Sequence, residues 1–221
     1  MRHSSVLRTG ACIAALCLCV QGQNPPSKDA PTNEEKGLPP RATPGDYEAH
    51  AQAGTVTVAA EFKGHSVPTL EGTFSTEEYV AVEMGLFGSP GERIKISIED
   101  FSLRISGKKA PLSSQPYALI FGSLTDPEWA PPEAPAAKSK TSIGGGGGGG
   151  NDPPPPPPKM PIELRRAMQQ HVQKAVLPEG DRALPQAGLI FFEYRGKTQK
   201  IHSLELTYTG PAGKVTMALQ P

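Results

Sequence analysis

The sequence predicts a mainly β protein, an antiparallel β-sandwich with one inserted α-helix and a long disordered Gly/Pro loop. Three observations lead there. Apolar residues alternate with polar ones in short stretches through most of the chain. Turn-forming clusters rich in Gly, Pro and Ser separate those stretches. A glycine run at 144–150 and a proline run at 153–158 interrupt the pattern, and one segment of helical spacing follows them.

The N-terminus reads as an export signal over residues 1–22. Arg2, His3 and Arg8 form a basic start, and 11–20 is an uncharged apolar run. Val20 and Gly22 then stand at the −3 and −1 positions of a cleavage site. The run is shorter than the roughly 20 residues that span a bilayer, so the mature chain is expected to have no transmembrane segment. A lipoprotein reading is disfavoured, because Leu16 and Leu18 precede Cys17 and Cys19 where a small residue is required. These features predict an exported bacterial protein, periplasmic or secreted. All three cysteines, Cys12, Cys17 and Cys19, fall inside the signal. A mature chain without them has no disulfide framework, thiolate metal site or cysteine nucleophile.

Residues 23–53 are rich in Pro, Asn, Asp, Glu and Lys and poor in large apolar side chains, which predicts a disordered tail. A single domain is expected over 54–221. Val56, Val58, Ala60 and Phe62 share one face of a first strand. Val80, Val82, Met84 and Leu86 share one face of a second, and 88–91 turns the chain. Ile94, Ile96 and Ile98 alternate next, then Phe101, Leu103 and Ile105, with a turn at 106–109. A short apolar run at 117–121 follows. Alternation of this kind predicts a sheet with one wet face.

The insert at 131–159 is expected to be unstructured, its prolines favouring an extended stiff end. It reads as a loop spacer, or as a ligand for a polyproline-binding groove. Residues 161–176 predict a helix, with Leu164, Met168, Val172 and Ala175 on one face and Pro178 and Gly180 as stops. Residues 189–194 form a continuous apolar run suited to a strand buried on both sides. Two further alternations, through Leu204, Leu206 and Tyr208 and through Val215, Met217 and Leu219, complete the pattern.

Within that pattern, Tyr79-Val-Ala-Val-Glu-Met-Gly-Leu-Phe87 followed by Ile98-Glu-Asp-Phe-Ser-Leu-Arg-Ile-Ser-Gly-Lys108 resembles a recurring arrangement. It is similar to immunoglobulin-like extracellular domains of unknown function found in bacterial lipoproteins and secreted proteins. Gly188-Leu-Ile-Phe-Phe192 and Leu204-Glu-Leu-Thr-Tyr208 look like the late strands of that arrangement. The resemblance covers 54–124 and 184–219. It implies an immunoglobulin-like sandwich on the envelope side and carries over no catalytic residues. The Gly/Pro insert and the inserted helix depart from it.

The chemistry legible in the sequence is sparse. Lysines plus arginines equal aspartates plus glutamates, 22 each, and no block of like charge occurs, so no nucleic-acid footprint is expected. His50, His65, His171 and His202 lack partners at metal-ligand spacing, and neither G-x-S-x-G nor a phosphate loop is present. No catalytic residue, metal or cofactor is expected. Arg165, Arg166, Arg195 and Lys197 would form a patch for an anionic partner if the fold gathers them. Trp129 and Tyr117 are candidates for stacking on a ligand. The leading expectation is a non-catalytic envelope module that binds a protein partner. A carrier of a small ligand or glycan, and a hydrolase with an unrecognised site, are the alternatives.

Overall fold

The computed structural model describes residues 36–130 and 160–221. The expected signal, the first part of the expected tail and the Gly/Pro insert lie outside them. In chain order the strands are β1 (Ala49–Ala53), β2 (Val56–Gly64), β3 (Ser66–Pro68), β4 (Thr73–Thr76), β5 (Tyr79–Phe87), β6 (Arg93–Ile96), β7 (Phe101–Ile105), β8 (Leu112–Gln115) and β9 (Leu124–Thr125). The helix α1 (Ile162–Ala175) comes next, followed by β10 (Gly180–Ala183), β11 (Gln186–Glu193), β12 (Leu204–Gly210) and β13 (Gly213–Leu219).

Eight strands form one antiparallel sheet in the order β1-β2-β5-β11-β8-β7-β12-β13. Strands from before and after the insert alternate within it. The sheet curls until its end strands, β1 and β13, lie side by side, giving a near-barrel. Glu48 bridges the seam: its carboxylate accepts from the backbone N–H of both Phe62 and Gln220.

The alternating residues point inward. Val58, Ala60, Val82, Met84, Leu103, Ile190, Phe192 and Leu206 are all buried in one inner core. Burying such side chains contributes about 1.5–3 kcal/mol each and holds the sheet in its curve. Leu177, just after the helix, also packs into this core. It crosses directly over Gly188, where a Cβ would sit 2.5 Å from the Leu177 Cα, so only glycine leaves room for the crossing.

A second core lies outside the sheet. Tyr79, Ala81, Leu189 and Phe191 are the outward residues of β5 and β11. They are covered by Met168, Val172 and Ala175 of α1, by Val67, Phe74 and Leu124 of the small sheet β3-β4-β9, and by Ile120. The helical stripe read from the sequence is therefore core packing. The run at 189–194 is buried on both faces as far as Phe192.

Short β8 links the two well-paired halves of the main sheet, β1-β2-β5-β11 and β7-β12-β13, and makes it near-closed. Four expectations need correction. A wet outer face is not general: the second core covers β5, whose residues are buried from Tyr79 through Leu86. The apolar run at 117–121 is a 3-10 turn (Tyr117–Gly122) instead of a strand, with only Ile120 buried. Pro116 stops β8 there by withholding a backbone donor. Ile98 likewise leaves its strand, starting a 3-10 turn (Ile98–Asp100) capped by the Ser97 hydroxyl.

The fourth correction concerns the tail. Residues 36–53, expected to be disordered, form a strap across the outer face followed by β1. The Gly37 N–H donates to Lys174 O at 2.7 Å, and Leu38 bridges to Ala187. Tyr47 is buried, its ring fitting over Gly85, where a Cβ would meet it at 2.7 Å. Composition missed this because one aromatic and one arginine supply most of the strap's anchoring.

Candidate functional site

A cleft of 360 Å³ opens beside β11. It exists because β11 changes partner along its length. β8 pairs with β11 only at Phe191 and Phe192, and Pro116 then turns the chain away. Further along, the segment after α1 takes over: Val176 bridges to Leu189, and the Leu177 N–H donates to Leu189 O at 3.0 Å. The space between the two partners is the cleft.

Its walls include buried Val176, Leu177, Leu189 and Phe191, with Gln115, Tyr117, Lys36, Glu99, Glu179 and Arg182 also lining it. Tyr117 is half-buried and packs edge-on to Phe121, centroids 5.8 Å apart. The Ile98 N–H donates to Glu179 Oε1 at 3.2 Å, and Arg182 Nε donates to the Glu179 carbonyl at 3.0 Å. This arrangement offers apolar walls, an aromatic ring and charges of both signs, the makings of a seat for a small amphiphilic molecule.

A second, shallower cleft of 490 Å³ is lined by His65, Ser75, Thr76, Thr125, Arg195 and Lys197 among others. Here the fold brings Arg195 and Lys197 together. Arg195 lies 3.6 Å from the carboxylates of both Glu78 and Glu193, which offset its charge. Arg165 and Arg166 do not line this cleft; they stand exposed on α1. Trp129 is half-exposed in the turn closed by its own N–H to Asp126 O at 3.2 Å, and it lines neither cleft. Among the described residues, no group of three His, Cys, Asp or Glu is placed to hold a metal ion.

One charged cluster escaped the sequence reading. Glu61 and Glu83 stand directly opposite each other on β2 and β5, a repulsive pairing on its own. Two cations resolve it. Arg41 from the strap donates to both oxygens of Glu83, at 3.2 and 2.9 Å, and reaches Glu61 at 2.5 Å. Lys63, set in a β-bulge, reaches Glu61 at 2.5 Å and Glu83 at 3.0 Å. The Arg41 guanidinium also stacks on Tyr47, 4.4 Å from its ring centre. Burial pushes the Glu61 carboxyl upward, but its hydrogen bonds from Lys63 and Arg41 outweigh that and hold it below the usual carboxylate range. The signal available in the sequence was Glu83 itself, one charge inside the apolar run 79–87, which demands a partner.

No protein-family model, curated protein or solved structure matches this chain.

Proposed function

We propose that the protein is an exported cell-envelope binding module that acts without catalysis, with its ligand seat in the cleft beside Tyr117. The observation that carries this reading is the cleft itself: buried apolar walls, one aromatic ring and charges of both signs. That combination suits a small molecule or glycan with one apolar face and at least one polar group. Periplasmic or secreted location rests on the basic and apolar pattern of residues 1–22. Glu99 and Glu179 share the cleft, but Glu179 accepts a backbone N–H, which supports a structural role over acid–base work.

A protein partner is the second reading. What favours it is the Arg195 and Lys197 turn, which offers basic side chains beside an open polar cleft. An immunoglobulin-like kinship belongs to the same proposal. The two well-paired halves of the sheet support it, and the near-closure through β8 is where this chain departs.

Native mass spectrometry of the protein isolated from its own host tests the ligand seat. A defined mass increment is expected on the wild type and absent from Tyr117→Ala. An increment that persists in Tyr117→Ala places the ligand elsewhere, and a bare wild-type mass removes the carrier reading.

A further inference from the structure

Resting on the ligand seat proposed for the cleft beside Tyr117, we infer that its ligand is a small organic acid, and that Arg182 selects it by gripping the carboxylate. β10 alternates half-buried Gly180 and Arg182 with exposed Asp181 and Ala183, so Arg182 is aimed at the body of the protein, where it lines the cleft. Gly180 makes that aim possible. Its φ of +92° is left-handed, which turns the chain sharply between buried Pro178 and the strand. The Arg182 Nε–H then donates to the Glu179 carbonyl oxygen at 3.0 Å, which anchors the guanidinium.

Arg182 differs from the other arginines of the described residues. Arg41, Arg93, Arg104 and Arg195 each pair with a carboxylate. Arg165 and Arg166 are exposed on α1. Arg182 is half-buried, yet it has no carboxylate partner among the described residues. Its neighbour Asp181 is taken by Arg93, whose Nε–H donates to Oδ2 at 3.1 Å. Glu179 Oε1 is taken by the Ile98 N–H at 3.2 Å. Only the Nε–H of Arg182 is used, which leaves both Nη groups as a fork that matches the two oxygens of a carboxylate.

The rest of the cleft sets the size of the acid. Tyr117 and the buried walls Leu189 and Phe191 suit an apolar body. A volume of 360 Å³ lies near the lower end of the range of about 300–1,000 Å³ for small-molecule sites, so that body is a single ring or a short chain. Lys36 and Glu99 also line the cleft, but they are exposed and of opposite sign, so water and salt screen them and they offset each other. One half-buried cation calls for a monoanion; a phosphate dianion would need a second.

NMR titration of the full-length protein with phenylacetate and with phenylacetamide tests this, since the two probes share a shape and differ in charge. Both should shift the Tyr117 ring signals. Phenylacetate should also shift the Arg182 Nε–H and bind about tenfold more tightly, a preference that sodium chloride narrows. In Arg182→Gln the two probes should bind alike, at the wild-type affinity for the amide, whereas Tyr117→Ala should weaken both. Equal affinities in the wild type, or a preference for the acid that survives Arg182→Gln, overturn the inference and leave the seat standing. No shift at Tyr117 from either probe removes the seat and the inference with it. Should Arg182→Gln not fold, the acid-to-amide ratio of the wild type and its salt dependence decide.

Discussion

The interior of the curved sheet and the layer outside it share strands β5 and β11 but are built by different rules. The inner core is made of strands that alternate, so each contributes every second residue. The outer core is assembled from a helix, a 3-10 turn and strands of two to four residues. Inside, neighbouring strands support one another through long ladders of backbone hydrogen bonds. Outside, side-chain packing carries the load, so the outer layer is expected to open first.

Phe191 and Phe192 put that difference to the sharpest test, since they are adjacent, fully buried and face opposite cores. Phe192→Ala is expected to cost about 4 kcal/mol in urea unfolding and to lower amide protection throughout the domain. Phe191→Ala is expected to cost about 3 kcal/mol, with protection lost in α1 and β4 but kept in β7 and β12. Equal, global loss in both variants would merge the two cores into one cooperative unit.

The strap gives the next effects. Arg41→Ala removes the bidentate partner of Glu83 and should cost about 2 kcal/mol, below the value for fully buried pairs because Arg41 is 27% exposed. Arg41→Lys should recover only part of this, lacking the fork that grips both oxygens. Gly85→Ala pushes a methyl group into the Tyr47 ring and should cost about 1–2 kcal/mol, read as a lower unfolding midpoint.

The smallest effect is acid sensitivity. The folded Glu61 carboxyl sits below its unfolded value of about 4.3. Its contribution is therefore complete above that pH and is lost as pH falls through the folded value. Stability measured from pH 6 down to pH 3 should decline less steeply in Glu61→Gln than in the wild type.

What the sequence made legible follows the same division. Alternation identified the inner faces of β2, β5, β7, β12 and β13, and helical spacing identified α1, because both reflect burial on one side. β3, β4 and β9 were missed: strands of two to four residues are too short to show a period. The near-barrel closure was missed because period two is the same in a sandwich and a barrel. Of the site residues, Tyr117 does line a cleft, whereas Arg165 and Arg166 do not join Arg195 and Lys197 there. The cleft arises where β11 exchanges β8 for residues 176–177, a pairing between distant segments that no local pattern encodes.

A photo-crosslinking amino acid placed at Tyr117 in the native host, compared with one at exposed Lys214 on β13, addresses the ligand seat most directly. Mass spectrometry of the irradiated protein should find one defined adduct from position 117 and none from position 214. The same adducts from both positions, or none from either, would contradict a ligand seat in this cleft.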